Sequence, residues 1–463
     1  MQEIQDPHLW GKLTCDLIKE AIMPFDLDKI YSTYMETEGS MQEYQYDYYQ
    51  DDKSVVPVYQ RTSASPLKEK THTNFHVNFF EDIIQRKTGY MSSNIKMTTS
   101  NEALAPYLLE FNNHTKQVTN NMDSISNASI SGVSHRLVYT VDGIIKIKNI
   151  MGWQVVYDYD EDIYNPNAAY YYYTLISMEG KKVEHCDVYS RTEVVYYTKQ
   201  KSSSNKNEWV MVGKPQLHNF NAVPIFPFMN NGDSKGDCED TLDLMDNYDE
   251  IMSDTSGELK AARLAYLKIW GDLYTGQDAR GNDIPLPDYL REFGTMLFGT
   301  DELGNSLGNA EFLEKNINID ATKYMLDILR THIYEVSGSV DLKELTDNDA
   351  ARVFAIQAAI SRLENNANTT ELYTRMALKK QYELLLYWIK EYDGKTFDVN
   401  DIEITFTRVF TKDKSGLATM LVSLMNVVSV QDAYALSELF DDPIAAAKRY
   451  KEEQGILEYD GDI

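Results

Sequence analysis

A handful of side chains stand at spacings that could do chemistry. His72 and His76 have the i,i+4 spacing that sets two imidazoles on one helix face around a metal ion. No glutamate separates them, no further ligands stand nearby, and Pro66 with the polar run 68–73 points to a loop, so the pair is not read as a metal site. Asp158, Asp160 and Asp162 copy the opening of a calcium loop. The sixth position is then Ile163, where glycine is needed, and the twelfth is Ala169, where glutamate is needed, so a solvated acidic turn is expected. His185 and Cys186 are neighbours, and on a strand they point to opposite faces, which excludes a Cys–His nucleophile. Gly394-Lys395-Thr396 lacks the first glycine of a phosphate-binding loop. Neither G-x-S-x-G nor H-E-x-x-H occurs. Carboxylates are plentiful enough for a glycosidase pair, but nothing singles one pair out. The residues point to a protein that is not an enzyme and takes no cofactor and no metal.

The carboxylates are concentrated where a helix should be. HNFNAVPIFPFMNN (His218–Asn231) reads as a buried strand with a polar stop, followed by a turn at Gly232–Gly236 and an acidic segment, Cys238–Trp270. Leu242, Met245, Tyr248, Met252, Leu259 and Ala262 recur near helical period in it, with Gly257 a place to bend or divide the helix. Asp243, Asp246, Asp249, Glu250, Asp254 and Glu258 stud the same helix. A helix so acidic lines something or stands in water. The whole chain is acidic too, 72 Asp and Glu against 44 Lys and Arg, net −28 over 463 residues. That balance argues against tight contact with phosphates, although an acidic wall suits a conduit to which DNA must not stick. Cys15, Cys186 and Cys238 are odd in number and far apart, which implies no disulfide framework and fits a reducing compartment. No apolar run reaches 18 residues and the N-terminal stretch lacks a signal-peptide pattern, so neither a membrane span nor a leader is expected.

The other elements follow from pattern. Trp10–Ile22 reads as a short amphipathic helix. The Tyr- and acid-rich Tyr34–Ser54 reads as a surface excursion, more loop than strand or helix. Phe79, Phe80, Ile83, Ile84 and Lys87 give Asn78–Tyr90 one helical face, with Gly89 as its stop. Leu104–Phe111 is a short helix and the Asn/Ser-rich Asn120–Gly132 a loop. Arg136–Val141 and Ile144–Ile150 flank Asp142-Gly143, a strong hairpin signal. Strands at Trp153–Tyr159, Tyr170–Met178, Val183–Tyr189, Glu193–Lys199 and Glu208–Val212 continue as an antiparallel meander. A small irregular αβ module fills 272–318. Ile319–Ser337 is a second amphipathic helix ended by Gly338, Ser339–Asn348 an interruption, and Asp349–Ile389 a helix roughly 60 Å long if straight. Ile402–Phe410 is a strand, and Leu417–Gln454 holds two or three helices. The fold class is α+β, with two long helices carrying a knob between them.

In order and spacing these segments resemble the portal proteins of tailed bacteriophages, over most of the chain from about Asn74. NFHVNFFEDIIQRKTGYMSS (Asn74–Ser93), VYTVDGIIKIKNI (Val138–Ile150) with WQVVYDYD (Trp153–Asp160), HNFNAVPIFPFMNN, LMDNYDEIMSDTSGELKAARLAYLKIWG (Leu244–Gly271) and IEITFTRVF (Ile402–Phe410) followed by Ser429–Gln454 carry the likeness. Asp349-Ala350-Ala351-Arg352-Val353 stands where many relatives have Ser-Gly-x-Ala and an apolar residue, and the first ~70 residues match no part of the family pattern. The resemblance implies a wing over 1–235, β-rich from about 134, a stem helix at 236–271, a clip at 272–318 and a second stem helix at 319–338. It also implies a tunnel loop at 339–348, a long wing helix at 349–400, and a wing strand and crown at 401–463. It further implies a dodecameric ring at one capsid vertex of the virion, assembled in the host cytoplasm, serving DNA packaging and ejection. The implied partners are the major capsid and scaffolding proteins, the terminase large subunit, a head-completion adaptor and double-stranded DNA held weakly, with no membrane.

On that resemblance Val340, Asp341, Leu342, Lys343, Glu344 and Leu345 form the tunnel loop. Asp243, Asp246, Asp249, Glu250, Asp254 and Glu258 line the channel. Tyr289, Phe293, Met296 and Phe298 make clip contacts, an excess of apolar residues for so small a module. Two other readings stay open. A carbohydrate-active enzyme fits the Tyr, Trp and acid richness. A DNA-mimicking acidic scaffold fits the charge but not the knob between two helices.

Overall fold

Asp142 and Gly143 both take positive φ, 53° and 78°, and turn one strand back on the next as a two-residue hairpin. The structure is a computed structural model that describes residues 26–62, 72–92, 95–176, 178, 180–201, 207–262, 266–271, 273–274, 284–285, 297–298, 303, 308–313, 319–341, 352–408 and 449–450. The chain divides into two units, Met1–Phe406 and Thr407–Ile463. The helices expected at Trp10–Ile22 and Leu417–Gln454 lie outside the described residues.

The first unit opens with helices α1 (Leu27–Tyr34), α2 (Ser40–Tyr49), α3 (Pro57–Gln60) and α4 (Phe79–Ser92). After β1 (Ile95–Thr99) come α5 (Ala105–His114) and α6 (Gln117–Ser131), then β2 (Val133–Val141) and β3 (Ile144–Met151). Next are β4 (Val155–Asp158), β5 (Ala168–Ile176), β6 (Lys182–Tyr189), β7 (Glu193–Lys201), β8 (Asn207–Leu217) and β9 (Ile225–Met229). The acidic helix is α7 (Leu242–Ala262). Short strands follow, β10 (Tyr266–Gly271), β11 (Leu273–Tyr274), β12 (Leu297–Phe298) and β13 (Gly308–Leu313). The unit closes with α8 (Ile319–Val336), the long α9 (Arg352–Asp393) and β14 (Ile402–Phe406). The mixture is α+β, as expected.

Strands β4 to β8 form the antiparallel meander in sequence order, while β3-β2-β9 form a separate antiparallel sheet. Leu137, Ile150, Tyr171, Tyr189, Val194 and Ile225 fill the space between the two sheets. Leu27, Ile30 and Tyr34 of α1 cover the other face of the meander at Tyr170, Tyr172 and Cys186. Along α9, Ala367, Leu378, Tyr382, Leu385 and Ile389 pack with Phe226 and Phe228 of β9 and Phe111 of α5. A fully buried phenylalanine contributes about 1.5–3 kcal/mol, which explains why IFPFM is so apolar. β1 pairs antiparallel with β14, Ile95 opposite Phe406, tying the early chain to the strand after α9.

Several expectations are corrected. Tyr34–Ser54 is helical through Tyr49, with a π turn at Met35–Gly39 joining α1 to α2. Its buried face is Gln42, Gln45 and Tyr48, and the π turn shifts the period, so no aliphatic stripe announces it. Asn120–Gly132 is the body of α6 rather than a loop. Asn121, Ser124 and Ser129 are buried there and hydrogen-bonded to Arg136 or Asn230, and buried Ser131 donates locally to the Asn127 and Val133 carbonyl oxygens, which overrides their poor helix propensity. Gly132 has φ 83°, and a Cβ on it would fall 1.8 Å from the Ser234 carbonyl oxygen, so the end of α6 needs glycine. Gly89 lies inside α4 and does not stop it, and Gly257 does not divide α7. The acidic helix ends at Ala262, and Tyr266–Gly271 is a strand pairing with Gly308–Leu313. Those residues therefore join the small module rather than the helix.

Candidate functional site

The strand-to-helix junction is built on one asparagine. Asn230 directly follows β9 and donates its amide to the Lys235 carbonyl oxygen (2.9 Å) and to Asp237 (2.8 Å). Its own oxygen accepts from Lys87 Nζ of α4 (2.7 Å) and from the Thr370 hydroxyl of α9 (2.9 Å). Lys87 also pairs with Asp237 at 2.8 Å, both side chains almost wholly excluded from water. Burial pushes the Lys87 pKa down and the Asp237 charge opposes that shift. Three elements, β9, α4 and α9, thus fix where α7 starts.

Beyond the junction, α7 grips the extended segment 72–78. Asp249 is fully buried. Its Oδ1 accepts the Val77 backbone N–H (2.9 Å) and its Oδ2 lies 2.6 Å from His76 Nδ1. One helical turn on, the Ser253 hydroxyl accepts from Phe75 N–H (2.9 Å), and Tyr248 packs edge-on to Phe79 with centroids 4.9 Å apart. Asp246 is half-buried and accepts from the Tyr48 hydroxyl (2.9 Å). Burial raises its pKa, the Tyr48 bond opposes this, and Asp249 and Asp243 add to the rise. Arg61 reaches across to Glu250 (3.2 Å) and Asp254 (2.9 Å), both exposed.

The six expected channel acids therefore differ. Asp243, Glu250 and Asp254 are exposed, and Asp246 and Glu258 are half-buried. Asp249 is corrected: both of its oxygens are used inside the subunit, so it cannot line a channel. His76 is held by this aspartate, and His72 Nε2 lies 3.0 Å from the Arg61 carbonyl oxygen. No group of three or more His, Cys, Asp or Glu side chains that could hold a metal ion occurs among the described residues. His185 stacks on Tyr173 with centroids 5.2 Å apart while Cys186 is buried on the opposite face, as strand alternation requires.

The expected tunnel loop begins inside the packed wall. Val340 and Asp341 are buried. Asp341 accepts a two-pronged bond from Arg330 of α8 (2.5 and 2.8 Å), which pushes the Arg330 pKa up. These two residues anchor the segment rather than present it to solvent. Gly338, with φ 65°, ends α8 as expected. Leu342, Lys343, Glu344 and Leu345 lie outside the described residues, as do Tyr289, Phe293 and Met296. Phe298 is half-buried in β12, and a Cβ on Gly308 would fall 2.5 Å from its ring, so that ring packs within its own module.

Arg136 has no motif to announce it, yet it is fully buried in β2 and bonded to Asn121 (2.7 Å), Ser124 (2.8 Å) and Gln381 (2.8 Å). It ties α6 and α9 to the three-stranded sheet. The Asn/Ser richness of 120–132 was its signal, since those side chains needed a donor.

The family model described as "Phage portal protein, SPP1 Gp6-like" matches residues 37–455. The portal protein of Bacillus phage SPP1 is 21% identical over 418 residues, 86% of this chain and 79% of that protein. The portal protein of Clostridium phage phiCD119 is 27% identical over 243 residues, 52% of this chain and 50% of that protein. With its strand-to-helix junction, acidic helix and long returning helix in the matched region, the chain belongs to the SPP1 Gp6-like family of phage portal proteins.

Proposed function

We propose that this chain is a subunit of a closed ring at one capsid vertex. The ring passes double-stranded DNA during packaging and ejection and docks the terminase large subunit and then a head-completion adaptor. The major capsid and scaffolding proteins are its further partners. The observation that carries the reading is apolar surface on α8, the helix that returns from the small module, and on the long α9. On α8, Ile319, Tyr324, Met325 and Val336 are exposed, Tyr324 to 69%, and on α9 Leu372 and Met376 are exposed. A lone subunit leaves this surface in water, whereas side-by-side packing around a ring buries it. Asp243, Glu250 and Asp254, with the net charge of −28, favour a lumen that repels phosphate. On this reading residues 272–318 form the clip together with strand β10, Leu342–Leu345 meet passing DNA, and catalysis is not part of the work.

Native mass spectrometry with electron microscopy of the purified chain tests the ring. Closed rings of one stoichiometry are expected, binding duplex DNA more weakly than about 10⁻⁶ M at physiological salt. A monomer at every concentration sinks the proposal, and tight DNA binding sinks the repelling lumen.

A further inference from the structure

The face of the meander turned toward the three-stranded sheet has a carboxylate at its centre. Asp187 on β6 stands directly opposite Tyr171 of β5 and Tyr196 of β7. Tyr189 and His185 follow at two-residue spacing on its own strand, and Tyr173 is diagonal to it. Asp187 is 6% exposed, and its hydrogen bond is a long one, 3.3 Å from the Tyr173 hydroxyl. It has no ion pair within 4.0 Å among the described residues. A cation acts on it from the facing sheet, Lys148 of β3. Lys148 Nζ donates to the Tyr171 hydroxyl (2.9 Å) and sits 4.9 Å above the Tyr171 ring and 5.6 Å above the Tyr173 ring. Lys148 is exposed, and beside it lies a cleft of about 390 Å³ lined by these tyrosines and Asp187.

A core position at the centre of a sheet face calls for an aliphatic or aromatic side chain. A buried carboxylate among tyrosine faces costs free energy unless a cation answers it. Ring faces are negative in their quadrupole, so they add to the attraction for a cation and offer nothing to an anion. The cleft is continuous with this face and large enough for the end of a slender cationic chain.

We propose that the Asp187 cleft is a binding site for a guanidinium or primary ammonium group on a slender chain, with Lys148 as an internal stand-in at its mouth. Such a group is carried by an arginine or lysine side chain of a partner polypeptide and by a free polyamine. Burial raises the Asp187 pKa to about 6, with the Tyr173 bond and Lys148 pulling it back, so the carboxylate is ionised at neutral pH and ready for the guest. The inference does not depend on ring formation.

Titration of the full chain with arginine amide and with putrescine, followed by tyrosine fluorescence at neutral pH and low salt, tests it. Saturable binding is expected. Lys148→Met removes the internal competitor and should tighten binding about two- to fivefold, the worth of one displaced cation–π contact. Asp187→Asn should abolish binding, while Asp160→Asn, an equal loss of charge on an exposed turn, should leave it unchanged. With lysine amide as a third probe, stronger binding of either amide than of putrescine identifies a polypeptide guest, and the reverse a free polyamine. The site is overturned if no probe binds saturably to the unaltered chain, or if Asp187→Asn binds like it. It is also overturned if Lys148→Met binds no tighter, a result that stands whether or not the Asp187 variant folds.

Discussion

Asp237 and Asp187 are both nearly excluded from water, and the fold treats them in opposite ways. Asp237 has Lys87 Nζ at 2.8 Å and the Asn230 amide at 2.8 Å, with Thr370 completing the set through Asn230. Asp187 has one long bond from a tyrosine and a lysine that stops at the ring faces. The first is a buried ion pair that, through Asp237 Oδ1, fixes geometry among β9, α4, α9 and the start of α7. The second is left open toward a cleft. A buried charge with a cation against it marks a joint, and one without marks a place that something else completes.

The largest effect expected is at the joint. Lys87→Met keeps the shape but strands Asp237, and should cost about 3–5 kcal/mol in denaturant unfolding. A loss below about 1 kcal/mol would erase the contrast, because the pair would then behave as an open site.

Asp187→Asn should move stability the other way. A carboxyl whose pKa rises on folding, here from an ordinary value near 4 to about 6, holds its proton more tightly in the folded state. Ionising it costs nothing below the unfolded pKa. The cost grows as pH rises from about 4 to 6 and is constant above that. The unaltered chain carries that cost at neutral pH and the asparagine variant does not. The variant should gain up to about 3 kcal/mol at pH 7 and nothing near pH 3.5, read from unfolding curves across that range. Equal stability of the two chains at pH 7 would show that Asp187 is already satisfied.

The smallest effect is at the surface. Arg61→Ala removes the pairs to Glu250 and Asp254, and should cost no more than about 1 kcal/mol, falling further with added salt. A loss near that of Lys87→Met would make these exposed pairs part of the joint.

Much of the fold could be read from residues one at a time. IFPFM announced a buried strand by composition, Asp142-Gly143 announced its hairpin by turn chemistry, and the apolar period of Leu242 to Ala262 announced α7. The misses share a cause. The buried face of α2 is glutamine and tyrosine, and α6 buries Asn121, Ser124 and Ser129 beside Ile125, Ala128 and Ile130; the polar members depend on partners elsewhere in the chain, Arg136 for α6 and Glu239 and Asp246 for α2. Periodicity of aliphatic residues is blind to such faces. Asp249 shows the same limit at the site. In sequence it is one acid among six, and only its contacts with Val77 and His76 separate it from Glu250 beside it.

The clasp between α7 and the segment 72–78 has a mechanical meaning. Asp249 and Ser253 are four residues apart on the helix, a rise of about 6 Å, and Val77 and Phe75 are two apart on extended chain, about 6.7 Å. The two repeats nearly match, so both bonds close together, like adjacent teeth of a rack. Sliding the segment along the helix must therefore open both at once, and the next register lies a full turn away. Because Asp249 is out of water, ionic strength that weakens the Arg61 pairs leaves this rack engaged. Force along the helix axis would thus pass to the body by shear on buried contacts, at the same stiffness in dilute and in concentrated salt.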